Sequence, residues 1–528
     1  MKRCVFVKSM VLFKMMIRLD NAKEYLIHLV KKPGFYFCLI LTTVNAFFTK
    51  QALESNGVGH FGWVLLVELL IEGLMIALLL VARNKKWPVE KKFLILAIGL
   101  GVLFMIFLPP GQAPDDINHF RRAYAISDGV FIAERISEES EASGSVLPIE
   151  VSDFDSRPSK GTYGEITQEL MKGVSGEASA QSYTNTALYS FVCYIPQTLA
   201  ALLGKMFNMS IMGIAYLMEI FNFAVWVVLI YFAIKLIPKF KTVLLFVALL
   251  PITLQEATSM APDALTIGLS ALLVSYVLYL AYECKRIMTN KDLVLLYVIA
   301  LVIGFCKIVY LPLILLYVII PSERFGTKKR KAIHLSSLAV VVIGLNLLWL
   351  AISAGTLMEF NPGVDSKMQL MGILNNPIGY LITIVRSIGA NFQFWLYGAL
   401  GMLLGSWAFD LPMIMGYVSF AMAVLLFAQR DEALKLRKID RGVFVFVFVT
   451  IVLLIFTSLY IQWTAVGAAV IDGVQGRYFL PILLLIPIMV CRVKTRPSRA
   501  TLVSESAVLY YSLYINVLAC VLFFAQNI

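Results

Sequence analysis

Long apolar runs separated by short basic stretches constrain this 528-residue chain more than any other feature. Each run is about as long as the 20-residue helix that spans the hydrocarbon core of a bilayer. A backbone in lipid must satisfy its own hydrogen bonds, so such runs form helices or a closed barrel. They lack the strict alternation that barrel strands require. With 59% hydrophobic and 15% charged residues, the chain is predicted to be an all-α, polytopic membrane protein.

The chain has a net charge of +12, and the positions of its basic residues predict its membrane topology. Of the 45 Lys and Arg residues, 33 fall in seven segments: 1–33, 83–92, 235–241, 283–292, 321–332, 430–442 and 492–499. The positive-inside rule places these segments, and with them the N-terminus, in the cytoplasm. Residues 110–185 carry 13 Asp and Glu against 6 Lys and Arg and are predicted to form an extracytoplasmic loop. We therefore expect a lipid bilayer, and no nucleic acid, as partner.

Alternation of the basic segments predicts about thirteen membrane spans. Two apolar segments, 186–207 and 376–400, are predicted not to cross, because a crossing by either one alone would place a basic segment outside. The run 292–320 is too long for one helix, and Lys307 interrupts it, so we predict two short helices that turn near Lys307. Residues 242–260 are predicted to form one spanning helix.

Unusual polar residues fall at the outer ends of the predicted helices. In chain order they are Asp115, Asp116, His119, Gln255, Glu256, Asp263, Lys307, Tyr310, Gln462, Asp472, Gln475, Arg477 and Tyr478. Each has a structural interpretation, such as a helix cap for the aspartates or a snorkelling side chain for Lys307. Together they place carboxylates and two cations at one membrane face, which predicts a substrate site. Four tyrosines are instead expected at the membrane interface: Tyr124, Tyr183, Tyr189 and Tyr194.

Five short sequence stretches, most of which contain these polar residues, occur in a recognisable order along the chain. They read PDDINHFRRAY at 114–124, YIPQ at 194–197, SMAPDAL at 259–265, KIVYLP at 307–312 and QGRYFLP at 475–481. Through them the chain resembles a bacterial membrane-protein family called domain of unknown function 2142, over roughly residues 93–492. Asp116 stands where that family usually has Glu, and Met260-Ala261 are inserted where it often reads Ser-Pro-Asp.

The resemblance divides the chain into three parts. Residues 1–92 form a basic cytoplasmic N-terminus with two extra spans, 93–492 form the core, and 493–528 form a cytoplasmic turn with a final span. The family is similar in layout to the GT-C glycosyltransferases, which have a large first outer loop, a non-spanning segment and a later hairpin with a Lys.

This likeness implies a glycosyltransferase in the bacterial cell membrane that moves a sugar from a polyprenyl-phosphate carrier to an envelope glycan or glycolipid acceptor. Asp115 or Asp116 would be the general base, and Lys307 and Arg477 would contact the carrier phosphate. The remaining substrate-binding residues would be His119, Gln255, Asp263, Tyr310, Gln475 and Tyr478. No cofactor is required, although a divalent metal ion between the carboxylates is compatible with the pattern.

Two alternatives share the lipid-linked saccharide as substrate. A flippase or transporter would spread its charges in depth along a path through the membrane. A polysaccharide polymerase would use the same substrate on the same side.

The charge pattern predicts the orientation of the chain directly. A cysteine introduced at Ser175, in the acidic loop, is expected to react with an impermeant thiol reagent added to intact cells. A cysteine at Lys329, in a basic segment, is expected to react only after the cells are opened. Labelling of the Lys329 site alone in intact cells would reverse the orientation.

Overall fold

The computed structural model describes residues 33–59, 61–136, 142–152, 162–356, 361–405, 409–428, 436–490 and 502–527. The expectations for the basic residues of 1–32 and 492–499 lie outside these ranges.

The described part of the chain is mostly helical. The helices up to the middle of the chain are α1 Pro33–Ser55, α2 Phe61–Asn84, α3 Val89–Phe107, α4 Asp116–Ser127, α5 Thr162–Met171, α6 Ile195–Met206, α7 Ile211–Leu236, α8 Lys241–Ala248, α9 Pro251–Ala257 and α10 Asp263–Tyr282. The later helices are α11 Asn290–Cys306, α12 Ser322–Phe325, α13 Lys328–Ser353, α14 Ser366–Asn375, α15 Pro377–Ala399, α16 Met413–Ala428, α17 Lys438–Gln462, α18 Leu485–Val490 and α19 Glu505–Asn527. The 3₁₀ segments of three or more residues are Ile149–Val151, Thr184–Thr186, Phe191–Tyr194, Ile308–Ile319, Ala354–Thr356 and Gly476–Ile482.

Six helices of the described residues are long and apolar enough to cross a membrane. They are α2, α7, α10, α17, α19 and α13 with its 3₁₀ extension to Thr356. A seventh crossing is formed if α14 and α15, which meet at a bend of 109°, are one broken span. The protein is therefore a multi-pass membrane protein.

Residues 110–185, the predicted extracytoplasmic loop, contain β-structure, which corrects the expectation of an all-α chain. The strands β1 (Glu134–Arg135), β2 (Ser143–Pro148) and β3 (Ala178–Ser182) form an antiparallel sheet in the order β1-β2-β3. A two-residue pair, β4 (Leu403–Leu404) and β5 (Phe409–Asp410), lies later in the chain. The loop is mostly polar, so its backbone bonds to itself outside the spans rather than within a long apolar helix.

Prolines and local breaks decide how the apolar runs divide. The run 292–320 consists of α11 and the 3₁₀ segment Ile308–Ile319, with extended backbone at Lys307, as predicted. The single helix predicted for 242–260 is wrong, because the run is split into α8 and α9. Pro251 begins α9 and lacks the N–H that would continue α8.

The two segments predicted not to cross differ from each other. The first contains α6, whose 12 residues extend only about 18 Å and cannot span the bilayer alone. The second contains α15, whose 23 residues are long enough, but which joins α14 at the 109° bend of a broken span or re-entrant loop.

The most buried of the candidate membrane spans is α10, which packs against α7 and α11. By contrast, α13 leaves most of its apolar side chains exposed, as a lipid-facing helix does. The first and last described helices, α1 and α19, pack together with α2 and α3. This arrangement puts the segments around α4, α9, α10 and residues 475–478 at the same end of the core.

At Gly476, next to the polar cluster, the backbone comes very close to the backbone of α15. A Cβ at this position would lie 2.2 Å from the Ala399 nitrogen and 2.5 Å from the Trp395 carbonyl oxygen. These are backbone atoms of α15, so they cannot move aside as a flexible side chain would. The C-terminal turn of α15 therefore fixes the position of the residue that follows, Arg477.

We expect Gly476→Ala to destabilise the folded protein strongly, because the added methyl group collides with backbone. Gly372→Ala is the matched control, since a Cβ there meets nothing within 4 Å and alanine in a helix is favoured over glycine by about 1 kcal/mol. Thermal unfolding of both purified variants in one detergent checks this. An unchanged unfolding temperature for Gly476→Ala would contradict the close packing.

Candidate functional site

Four segments that are far apart in sequence meet in one polar cluster. They are the turn before α4, the end of α9 with the turn to α10, the break at Lys307, and residues 475–478. Three ion pairs join them: Arg477 with Asp115, Arg477 with Glu256, and Lys307 with Asp263. The predicted convergence of carboxylates, a lysine and an arginine is thus present in the structure.

The Arg477 guanidinium connects three of these segments. Its Nη2 donates to Asp115 Oδ2 at 2.8 Å, its Nη1 to the Pro114 carbonyl oxygen at 3.3 Å, and its Nε to Gln475 Oε1 at 2.6 Å. Its Nη1 also lies 3.6 Å from Glu256 Oε2. The Arg477 side chain is only 5% exposed, so each nitrogen has to find a protein partner.

Asp115 is the accessible carboxylate of the cluster. Its side chain is 41% exposed, and its other oxygen accepts from Asn185 Nδ2 at 2.9 Å. Its backbone is left-handed, with φ of 63°, which costs a non-glycine residue about 1 kcal/mol or more. Burial alone would raise the pKa of Asp115, but the Arg477 charge and hydrogen bond, together with the nearby His119 and Lys307, outweigh burial and lower the pKa below its usual range. Asp115 is therefore ionised at neutral pH.

Asp116 has a different environment from its neighbour. It is 1% exposed, and its two oxygens accept from the backbone N–H groups of Gly111 at 2.9 Å and Met260 at 2.8 Å. Burial raises the pKa of Asp116 to about 6, against the opposing effect of those two N–H groups. Both oxygens are used to hold the 110–116 turn against the 259–262 turn, whereas Asp115 stays open to solvent.

Lys307 and the residues around it form the second half of the cluster. Lys307 Nζ donates to Asp263 Oδ1 at 2.6 Å and lies 5.1 Å from the centre of the Tyr478 ring. Tyr310 is buried, and its hydroxyl donates to the Tyr478 carbonyl oxygen at 2.8 Å. Tyr310 thereby ties the 3₁₀ segment after Lys307 to the segment that carries Arg477.

His119 lies beside the cluster as a neutral ring. Its Nδ1 shares a hydrogen bond of 2.7 Å with the Tyr194 hydroxyl, and its ring meets that of Tyr189 edge to face. Burial lowers the pKa of His119 to about 4, although the nearby Asp115 raises it. The expectation that Tyr194 belongs to an interfacial belt is wrong, because this side chain is fully buried.

Gln255 and Gln475 line a small cavity with Arg477, of about 10 Å³, which is room for one water-sized probe. Gln255 Oε1 accepts from the Gly405 N–H at 2.8 Å, while its Nε2 has no hydrogen-bond partner among the described residues. These two amides therefore lie where the sequence predicted, next to the guanidinium.

A larger groove of about 290 Å³ adjoins the cluster. The break at Lys307, α13 and α17 form its walls, which are mostly apolar and include Trp349 and Leu459. Lys307, Tyr478 and Asn185 also line it, and Asn185 hydrogen-bonds Asp115. The groove therefore connects apolar walls to both halves of the cluster.

Sequence reasoning did not assign Asn185, Gln197, Asn222 or Glu256 to the site. Gln197 donates to the Met260 carbonyl oxygen, and Asn222 to the Ser259 and Ala261 carbonyl oxygens, so both support the turn that Asp116 holds. Glu256 was noted as an unusual polar residue but given no role. An isolated amide in an apolar run is the one signal that marks Gln197 and Asn222 in the sequence.

The cluster offers little to a divalent metal ion. In the described ranges, no group of three or more His, Cys, Asp and Glu side chains could hold a metal. Its exposed and buried carboxylates face cations or backbone N–H groups instead.

The fold and the cluster define a multi-pass membrane protein with a charged site beside an apolar groove. The sequence profile of the family described as "Predicted membrane protein (DUF2142)" matches residues 98–486. The chain belongs to this family, which confirms the resemblance drawn from the five stretches. Comparison with the curated proteins and with the solved structures gave no match.

The contacts of Asp116 predict that its replacement affects folding first. Asp116→Asn would turn an NH₂ group toward the N–H of Gly111 or Met260, at a cost of about 1 to 3 kcal/mol for one buried unpaired donor. Asp115→Asn should cost less, because solvent reaches that side chain. Thermal unfolding of the two variants under identical conditions tests the difference. If Asp116→Asn were as stable as the wild type, the contacts of Asp116 would not be what holds the two turns together.

Proposed function

We propose that the protein is a membrane glycosyltransferase that moves a sugar from a polyprenyl-phosphate carrier to an envelope glycan or glycolipid acceptor. The observation that carries the proposal is the Asp115–Arg477 pair. It combines an ionised, solvent-reached carboxylate with a buried guanidinium, next to Lys307 and an apolar groove. Glycosyl transfer needs these two functions side by side: a base for the acceptor and a positive charge for the leaving phosphate.

The groove has the lining that a lipid-linked phosphate needs. Its apolar walls on α13 and α17 suit an isoprenoid chain, and Lys307 suits the phosphate. Tyr478 lies between the two cations, with its ring 5.1 Å from Lys307 Nζ and 5.5 Å from the guanidinium carbon of Arg477. A phosphate above this ring would reach both positive charges.

The reaction balances with residues of this cluster alone. Asp115 accepts the proton of an acceptor hydroxyl as that oxygen forms a bond to the anomeric carbon of the sugar. The bond from the same carbon to the carrier phosphate oxygen breaks, and its electron pair leaves with the phosphate. Arg477 and Lys307 stabilise the added negative charge. Gln475 accepts a hydrogen bond from Arg477, and Asp263 accepts one from Lys307. These two contacts hold the cations in place.

Both cations already have carboxylate partners, so phosphate binding requires an exchange. Asp115, Glu256 and Asp263 give three negative charges if all are ionised, against two positive charges on Arg477 and Lys307. Glu256 is fully buried and accepts no hydrogen bond, so it is the carboxyl most readily neutralised by a proton. A phosphate that draws Arg477 away from Asp115 would leave this carboxylate a stronger base.

The alternatives differ in what they require of these charges. A flippase or transporter for lipid-linked saccharide needs polar groups spread through the depth of the membrane. The direct contacts among Asp115, Glu256, Asp263, Lys307 and Arg477 gather the charges in one place and favour an enzyme. A polymerase would use the same chemistry and differs only in its acceptor.

The location of the reaction follows from the charge pattern. The proposal places the cluster at the outer face of the bacterial cell membrane, with about thirteen crossings in total, including short and broken helices. The acidic loop would then meet the acceptor outside the cell.

We expect Asp115→Asn to lower the transfer rate by about 100- to 10,000-fold, the usual contribution of a positioned base. The measurement is sugar incorporation into envelope polysaccharide in a deletion strain complemented with each variant at matched expression. Asp472→Asn is the control, since Asp472 is an exposed carboxylate in the same segment of the chain.

Two outcomes would reject the assignment. If the Asp115→Asn variant incorporated sugar at the wild-type level, Asp115 would not be the base, and the transporter hypothesis would be favoured. An unchanged sugar composition in the deletion strain itself would remove the substrate class altogether.

A further inference from the structure

Two glutamates lie inside a candidate membrane span, far from the cluster described above. Glu68 and Glu72 are four residues apart on α2 and therefore on one face of this helix. They are the only ionisable residues between Phe61 and Ala82. They are 1% and 2% exposed. An uncompensated charge at this depth costs several kcal/mol, so such residues need a partner or a function.

The polar neighbours of these glutamates come from α1 and α19. Glu72 accepts from Thr42 Oγ1 and from Asn45 Nδ2, both at 2.9 Å. Asn45 Nδ2 also donates to the Tyr514 carbonyl oxygen at 2.8 Å. Glu72 thus uses both of its oxygens within a helix–helix contact.

Glu68 is in the opposite situation. Among the described residues, the Thr49 hydroxyl is the one hydrogen-bonding neighbour of its carboxylate, and neither glutamate forms an ion pair. The Asn45 carbonyl oxygen is fully buried and has no hydrogen-bond partner in this part of the chain. The site therefore holds a surplus of oxygen acceptors and lacks the positive charge that would match them.

A cavity opens next to this polar group at one end of the helices, and neither glutamate lines it. Its volume is about 560 Å³, and it extends from Pro33 and Arg83 to Thr42 and Tyr514. The predicted topology places Pro33 and Arg83 at the cytoplasmic side. Thr42 bonds directly to Glu72, so the cavity reaches the first hydroxyl of the polar group.

We propose that Glu68, Thr49 and Asn45 bind a small monovalent cation, for which Na⁺ is the probe, supplied from the cytoplasmic side. Hard cations prefer carboxylate, hydroxyl and carbonyl oxygens, the groups that Glu68, Thr49 and Asn45 supply here. One unmatched carboxylate fits a single positive charge, because Glu72 is already satisfied by α1. The site lies on α1 and α2, outside the family-matched residues 98–486, and does not depend on the proposed sugar transfer.

The test uses the full-length protein in nanodiscs of neutral phospholipid. Binding of ²²Na⁺ and thermal unfolding are measured in NaCl and in choline chloride at equal ionic strength and alkaline pH. The wild type should bind one Na⁺ per chain and unfold at a higher temperature in NaCl, because a ligand of the native state stabilises it. Lowering the pH should weaken the binding, since protons compete for Glu68.

Variants separate the site from general salt effects. Glu68→Gln should lose the Na⁺ response while staying folded in choline chloride, because an amide needs no counter-charge. Thr49→Val should weaken the affinity by about tenfold, the loss of one ligand to a charge. Glu54→Gln is the control, because Glu54 is an exposed carboxylate on α1, and it should respond like the wild type.

The proposal fails on any of three results. These are equal unfolding temperatures of the wild type in the two salts, a Na⁺ response retained by Glu68→Gln, or a response to pH without one to Na⁺. The last result would mean that the two glutamates are protonated and act only in helix packing.

Discussion

The contacts of the buried Arg477 guanidinium with Asp115 and Glu256 are the interactions on which the described site depends. A guanidinium that is 5% exposed is stable only if carboxylates and carbonyl groups surround it in fixed positions. Meeting that requirement brings the turn before α4, the end of α9 and the segment after Gln475 together. The packing of Gly476 against α15 holds the guanidinium at the required depth.

Two adjacent aspartates illustrate how the fold separates structural from chemical roles. Both oxygens of Asp116 accept hydrogen bonds from backbone N–H groups and so join two turns. Asp115 instead remains in contact with solvent and faces the guanidinium. The left-handed backbone at Asp115 turns the two side chains in different directions. Neighbouring carboxylates can therefore differ in burial and partners, so that one holds a turn while the other stays open to solvent.

The two ends of the molecule satisfy buried charge in different ways. At the cluster, each carboxylate meets a cation or a backbone donor. Between α1, α2 and α19, Glu72 meets only neutral donors, and the Thr49 hydroxyl is the one hydrogen-bonding neighbour of Glu68 among the described residues. This contrast is the reason to assign cation binding to the second site rather than catalysis.

The sequence by itself determined the membrane class, the family and the break at Lys307, because apolar length, charge bias and proline position act locally along the chain. It did not reveal the small sheet of the outer loop, the split of 242–260 or the different roles of Asp115 and Asp116. Those depend on which backbone N–H groups and cations arrive from distant segments, as Met260 reaches Asp116 across 144 positions. Only tertiary packing decides such contacts, since identical side chains gain different roles from their burial and their partners.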